Sequence, residues 1–359
     1  MAITAAVSAG ADDPLTLRQL RLRAPRPDEV LVRVLASGIC HTDLTTRAAV
    51  PAELPIVLGH EGAGVVEAVG AQVTGVAIGD LVLLTYQSCG TCAECRRGFP
   101  GYCAQWAVLN AGRFGADSPL TGESGPVVGA YFGQSSFASH VLATARNLVV
   151  VDPGVDPVLV AAFGCAVQTG AGVVAEVLAP GPDSVLAVFG VGGVGMSAVM
   201  AARALGVGTV VAVDLSPQRL ALAAELGADL TIAAGAGDAA AHIAELGGAT
   251  HALDTTGAAP VIATALQSLT ARGTLALVGL GPSPLPIDVA ALIGRGKTLR
   301  GSIEGDVDPQ VFLPRLIDWH RRGLLPMERV VRSYPIDRIN EAIADMASGA
   351  VVKAVVTFP

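Results

Sequence analysis

Residues 184–202 run for nineteen positions without a charge, a stretch long enough to cross a bilayer. Four glycines, Gly190, Gly192, Gly193 and Gly195, fall in its middle, where they would weaken a membrane helix. They divide the run into a strand-like half, 184–190, and a helix-like half, 193–205, which Gly206 ends. A second pair follows, a strand over 208–214 and a helix over 216–226. Ser216 is placed there as the N-cap and Pro217 as the first helical residue. The alternation continues through 250–254, 259–269 and 273–278. Repeated strand–helix units imply an α/β fold whose parallel sheet is covered on both faces.

The sequence GVGGVG sets Gly190, Gly192 and Gly195 in a G-x-G-x-x-G pattern between strand and helix. The three glycines serve different ends, with a tight turn at Gly190, close backbone approach to a pyrophosphate at Gly192, and close helix packing at Gly195. Gly193 and Val194 open the helix whose N-terminus would face the anion. Asp214 ends the next strand, where its carboxylate can accept hydrogen bonds from adenosine ribose hydroxyls and would repel a 2′-phosphate. The expected cofactor is therefore NAD rather than NADP, with Arg219 the residue that could soften the preference. The alternative is a Rossmann-type turn that binds nothing.

At 359 residues, 52% hydrophobic and 15% charged, the chain suits two globular domains. Its net charge of −8, with no basic stripe, argues against nucleic acid as a partner. The opening MAITAAVSAGADD has neither a basic region nor a sustained apolar one, so no export and no membrane association are expected, and the location expected is cytoplasmic. Six cysteines in such a chain point to metal or catalytic use rather than disulfides. Cys89, Cys92, Cys95 and Cys103 form C-x2-C-x2-C-x7-C in a loop of small and polar residues that could not make a core by itself. Four thiolates close a zinc coordination sphere, so this lobe, at about 86–104, is expected to be structural.

Upstream, short apolar runs at 29–35, 64–69 and 80–84 are broken by Gly and Pro and read as β-rich. Among them Cys40, His60 and Glu61 offer a thiolate, an imidazole and a carboxylate, donor types that a borderline-soft ion such as zinc accepts. Cys165 lies in an apolar stretch, 157–178, that reads as helical, and from the residues alone a buried inert thiol is its simplest reading. Downstream come a strand-like stretch at 297–304, a helix over 309–322, and a helix followed by a strand in 336–358, which return to the first domain.

Across nearly its whole length the chain resembles the zinc-dependent medium-chain alcohol dehydrogenases. GICHTD, GHEGAGVVEAVG, the four-cysteine lobe, Cys165 in FGCAVQTGAG, GVGGVG and Asp214 carry the likeness in family order. SCGTCAECRRGFPGYC, YFGQSSFASH and GSIEGDVDPQVFLP resemble its aryl-alcohol, or benzyl alcohol, branch. The resemblance implies a β-rich GroES-like catalytic domain over 1–166 and 304–359 and an NAD-binding Rossmann domain, a doubly wound parallel sheet, over 167–303. It implies that Cys40, His60 and Cys165 bind a catalytic zinc, giving two zinc ions per chain with the structural one. Glu61 becomes an alternative or transient ligand, and Asp43 orients the His60 imidazole.

The activity implied is reversible hydride transfer between NAD and a primary aromatic or allylic alcohol, with Thr42 carrying the hydroxyl proton. His41 and Lys353 are expected to face the cofactor pyrophosphate. Thr45 stands where the better-known liver and yeast types carry a relay histidine, and a threonine is no base near neutral pH. Tyr86 could wall the pocket or belong to the core. His140, His242, His251 and His320 lack ligand context. A homodimer or homotetramer acting on a small-molecule alcohol or aldehyde is expected. Two alternatives stand beside this: a biosynthetic reductase of an iminium or polarised C=C bond, and a non-catalytic cofactor-binding protein.

Overall fold

The computed structural model describes residues 1–10, 13–51, 53–235, 238–281 and 284–359. They form two compact units, one of residues 1–165, 308–317 and 327–359, the other of residues 166–307 and 318–326. The expectation placed 304–359 wholly in the first. Residues 304–307 and 318–326 instead belong to the second; for the former, Glu304 accepts a hydrogen bond from Gln168 Nε2 at 2.8 Å and Gly305 packs backbone to backbone on Gly172.

The first unit is built on a seven-stranded sheet. Its path runs Leu148–Val151, Leu81–Leu84, Glu61–Val69, Glu29–Gly38, Lys353–Thr357 and Val331–Pro335, with His140–Thr144 also paired to Glu29–Gly38. Along Glu29–Gly38 burial alternates, with Val30, Val32, Val34 and Ala36 inside, as the period of two in a strand requires. Val355 pairs with Gly38, which ties the end of the chain to the strand that precedes Cys40. A five-stranded sheet of Ile56–Val57, Ala2–Ser8, Thr16–Leu22, Leu120–Gly122 and Gly125–Val127 shares the same core.

Residues 157–178, expected as one helix, are broken. Pro157–Val160 is α-helical, Ala161–Gly164 is 3₁₀, and Ala166–Gly172 resumes the α-helix before a π-helical end at Val173–Leu178. The break has a tertiary cause: Thr85 Oγ1 donates to Gly164 O at 2.7 Å, and Gly164 lies so close to Leu84 that a Cβ there would stand 1.9 Å from its carbonyl oxygen. Cys165 is left with φ −146° and ψ −78°, outside any helix.

The second unit holds six parallel strands in the order Leu230–Ala233, Thr209–Asp214, Val185–Phe189, Ala249–Asp254, Leu269–Leu277 and Thr298–Gly301. The uncharged run therefore becomes the central strand Val185–Phe189 and the helix Gly193–Ala204. Among the described residues no single helix is long and apolar enough to cross a membrane. Ser216 caps Pro217–Leu226, its hydroxyl accepting from Arg219 N. Helices Ala239–Glu245 and Val289–Arg295 and strand Leu230–Ala233 were not anticipated; the helices have seven residues each, too few for a clear period.

In the glycine turn, Gly190 has φ +83°, and a Cβ on Gly195 would lie 1.9 Å from Gly190 O. Around Gly192 nothing lies within 4 Å of such a Cβ. Gly195→Ala should thus lose about 2 kcal/mol of stability through overpacking, whereas Gly192→Ala should lose at most about 1 kcal/mol, as a helix N-cap change. Urea denaturation midpoints check both. Similar losses for the two variants would contradict this account of the turn.

Candidate active site and metal centres

Cys40 is the N-cap of helix His41–Ala49, and Asp43, at the third helical position, reaches back to accept the Cys40 N–H on Oδ2 at 2.9 Å. The same carboxylate accepts on Oδ1 from Gly59 N at 3.0 Å and from His60 Nδ1 at 2.9 Å. Asp43 and His60 are each 1% exposed. A proton on Nδ1 leaves the lone pair of the neutral imidazole on Nε2, which is buried and makes no hydrogen bond.

Donor atoms of Cys40, His60, Glu61 and Cys165 lie within 4.8 Å of one another. The broken helix turns the Cys165 sulfur into this group, although the sequence placed it in a regular helix. A hydrogen bond with Cys165, opposed by burial and aided by the charges of His60 and Lys353, holds the Cys40 thiol well below its usual pKa. Burial works against charge on His60, yet Asp43 and Cys40 outweigh it and hold the imidazole well above its usual range. The pocket attracts positive charge. Two sulfurs and an orphaned imidazole nitrogen in such a field fit zinc, with Cys40, His60 and Cys165 able to hold it.

Glu61 is fully buried and its carboxylate faces Lys353, with Nζ 2.5 Å from Oε2. Gly38 makes the room, since a Cβ there would stand 1.9 Å from that oxygen. Lys353 Nζ also donates to Ile39 O at 2.8 Å, and the residue is 3% exposed. Burial disfavours charge on Lys353, but Glu61 outweighs it and keeps the ammonium charged. Lys353, expected to face the cofactor pyrophosphate, is thus buried in the first unit with its ammonium on Glu61 and Ile39 O.

The remaining four cysteines bring their sulfurs within 4.8 Å of one another, and none of the six cysteines is in a disulfide. Main-chain N–H groups point at these sulfurs: Thr91 and Cys92 donate to Cys89 at 3.4 and 3.3 Å, Ala104 to Cys92 at 3.5 Å, and Cys89 and Gln105 to Cys103 at 3.3 and 3.4 Å. The N–H of Thr91, with its hydroxyl, draws the Cys89 thiol down to about 6, while burial and the neighbouring thiols push Cys95 up to about 12. Four thiolates so close together would repel one another, which is why Cys95 resists ionising, and a divalent cation removes that conflict. The lobe fits a closed four-sulfur zinc site.

In the second unit Asp214 accepts Val191 N on Oδ2 at 2.8 Å and Ser216 N on Oδ1 at 2.9 Å. It therefore fixes the glycine turn, while each oxygen keeps a lone pair for a ribose hydroxyl. Gly193 and Val194 form the first turn of Gly193–Ala204, and Arg219 lies half-buried in the first turn of Pro217–Leu226. The open space at Gly192 is what a pyrophosphate beside the backbone needs.

Of the other residues singled out in the sequence, Thr42 Oγ1 lies 3.6 Å from Cys40 Sγ and His41 is exposed. Thr45 is exposed and bonds back to His41 O at 3.2 Å. Tyr86 is 2% exposed and packs on Trp106, so it belongs to the interior. Sequence reasoning missed the Glu61–Lys353 pair and the packing of Tyr131 and Phe132 on His60. The second had a signal in YFGQSSFASH, where two adjacent aromatics open a motif of the aryl-alcohol branch.

Residues 26–153 match the alcohol dehydrogenase GroES-like domain and residues 193–320 the zinc-binding dehydrogenase domain. The chain is 44% identical to geraniol dehydrogenase of Castellaniella defragrans over 99% of its length and 97% of that protein. Its structure superimposes on the crystal structure of benzyl alcohol dehydrogenase from Acinetobacter calcoaceticus, with TM-score 0.95, 37% identity and 100% of both chains covered. It likewise matches an alcohol dehydrogenase zinc-binding domain protein from Burkholderia ambifaria, with TM-score 0.96, 46% identity, and 100% of this chain and 99% of that one covered. With both domains matched and relatives aligned end to end, the chain belongs to the zinc-dependent medium-chain alcohol dehydrogenases.

Proposed function

We propose that the chain oxidises primary allylic and aromatic alcohols to aldehydes with NAD, and reduces the aldehydes in reverse. The observation that carries this reading is the convergence of buried His60 Nε2 on the Cys40 and Cys165 sulfurs. The substrate class is supported by relatives named for geraniol, an allylic alcohol, and for benzyl alcohol.

Cys40, His60 and Cys165 would hold the zinc, which would supply Lewis acidity toward an alcohol or carbonyl oxygen. The glycine turn and Asp214 would hold NAD, which would supply the hydride acceptor. Asp43 fixes the His60 tautomer and, through the Cys40 N–H, the thiolate as well. Thr42 is the hydroxyl next to Cys40 in space and takes the substrate proton as it releases its own. Thr45 leaves no basic side chain at the relay position, so the proton leaves Thr42 to water. Glu61, held by Lys353, stands behind the metal donors as a reserve ligand. The complete donor set and Thr42 favour alcohol chemistry over reduction of an iminium or C=C bond, and over a binding role without turnover.

The chain acts as a homo-oligomer in this reading. Thr298–Gly301 is an edge strand, and Leu280, Val289 and Ile293, at 71%, 60% and 74% exposure, are apolar surface in the same unit.

Purified protein should contain two zinc ions per chain and produce NADH from benzyl alcohol and geraniol. Cys165→Ser and Cys103→Ser should each lose about one zinc, the first abolishing turnover and the second lowering thermal stability. No turnover across aryl, allylic and aliphatic alcohols by the fully loaded enzyme would exclude the activity. Asp43→Asn should lower kcat/KM or zinc affinity by about 10- to 100-fold, read by steady-state kinetics and competition with a chelator; wild-type values in both would remove Asp43 from the site. Light scattering after gel filtration should give a multiple of the 36.1 kDa chain mass, and a monomer at micromolar concentration would refute assembly.

A further inference from the structure

The peptide that joins Gly190 to Val191 opens the dinucleotide turn, and both of its polar groups are taken by side chains from neighbouring strands. Its N–H, on Val191, donates to Asp214 Oδ2 at 2.8 Å, and its carbonyl, on Gly190, accepts the Thr255 hydroxyl at 2.8 Å. Asp214 ends Thr209–Asp214 and Thr255 follows Ala249–Asp254, the two strands that flank Val185–Phe189. The first partner belongs to the dinucleotide pattern, a strand-end acid after the glycines. Nothing in G-x-G-x-x-G calls for the second.

Gly190, with φ +83°, lacks a side chain to restrict it, so the plane of the next peptide is set by its hydrogen-bond partners. Thr255 is well fixed for that task. Its hydroxyl also lies 3.1 Å from Phe189 O, and its own N–H donates to Phe189 O at 3.0 Å, which holds the residue against the end of the central strand. A Cβ on Gly190 would stand 2.5 Å from the hydroxyl oxygen, so the glycine is what lets the two meet. The turn that carries Thr255 is anchored in its own right. Asp254, fully buried, accepts Thr256 N at 3.3 Å and Thr256 Oγ1 at 2.7 Å on one oxygen and Gly257 N at 2.8 Å on the other. A flipped Gly190–Val191 peptide would lose the Thr255 bond and turn its carbonyl oxygen toward the Asp214 carboxylate. Helix Gly193–Ala204 starts three residues after Gly190, and the N–H groups of its first turn, which have no partner within the helix, take their direction from the peptides before them.

We infer that Thr255 is a positioning residue for NAD: its hydroxyl holds the Gly190 carbonyl against the neighbouring strand, so that the turn has its pyrophosphate-binding shape before the cofactor arrives. Without that donor the turn relaxes in the free protein. Binding then has to restore it, and the apparent affinity falls by the fraction of chains still in the competent shape. The inference rests on the reading that this turn holds NAD, and it adds a residue some sixty positions beyond the glycine fingerprint.

Thr255→Val keeps the shape of the side chain and removes its donor. The Kd for NAD, measured by titration calorimetry on the zinc-loaded enzyme, should rise about tenfold. The Kd for ADP-ribose, which has the pyrophosphate and lacks the nicotinamide, should rise by the same factor. Thr255→Ser, which keeps the hydroxyl, should bind both within about twofold of wild type. In turnover the KM for NAD should follow its Kd in Thr255→Val, while kcat does not fall and zinc content does not change. An NAD Kd in Thr255→Val within about twofold of wild type would overturn the assignment, and a lower urea midpoint beside it would show that the bond serves the fold alone. A loss in Thr255→Ser equal to that in Thr255→Val would overturn it too. Should Thr255→Val not fold, Thr255→Cys carries the same comparison, its thiol being a weak donor. If the wild-type enzyme binds neither NAD nor ADP-ribose, the cofactor reading fails and this inference with it; if it binds both and only the Thr255 comparison fails, the cofactor reading stands.

Discussion

The Asp43 carboxylate is the interaction on which the metal site depends. It sits with 1% exposure and accepts hydrogen bonds from Cys40 N, Gly59 N and His60 Nδ1. A buried carboxylate is tolerable only when so paired, and hydrogen bonds to a charged group each contribute about 1.5–3 kcal/mol. One side chain thereby joins the start of helix His41–Ala49 to the residues that begin strand Glu61–Val69. It sets the imidazole tautomer at the same time, and with it the direction of the metal-facing lone pair.

Around that anchor, the charges favour a cation at the donor cluster. Cys40 is drawn toward thiolate, while the ammonium that stands behind the site is neutralised by Glu61. Breaking such a buried pair costs about 3–5 kcal/mol, so the pair resists exchange with solvent.

Much of the fold was legible because its signals are local. The alternation of strand and helix, the cap at Ser216 and the glycine turn each lie within a dozen residues, and the six-stranded parallel sheet follows from them. The four-cysteine lobe was legible for the same reason, since its spacing leaves the sulfurs little choice of partner. Cys165 was not. Its stretch reads as one helix, and the break comes from Thr85 and Leu84, residues distant in the chain that capture the Gly164 backbone. The contact of Lys353 with Glu61 was not legible either, because nothing near Lys353 in sequence announces Glu61. The Phe132 ring was invisible as well, since positive φ at a non-glycine residue is imposed by partners such as Gln134 and Ser135 and carries no mark of its own.

By itself, then, the sequence determined the two-part architecture, the dinucleotide turn with its acidic strand end, and the chemical types of the metal donors. Periodicity, caps and short spacings encode these within one or two elements. Only the tertiary structure decided which distant side chains meet: the Cys165 sulfur with Cys40 and His60, Lys353 with Glu61, and the Phe132 ring with the imidazole. Those meetings depend on long-range packing and on buried charges finding opposite charges, and no local pattern in the chain specifies either.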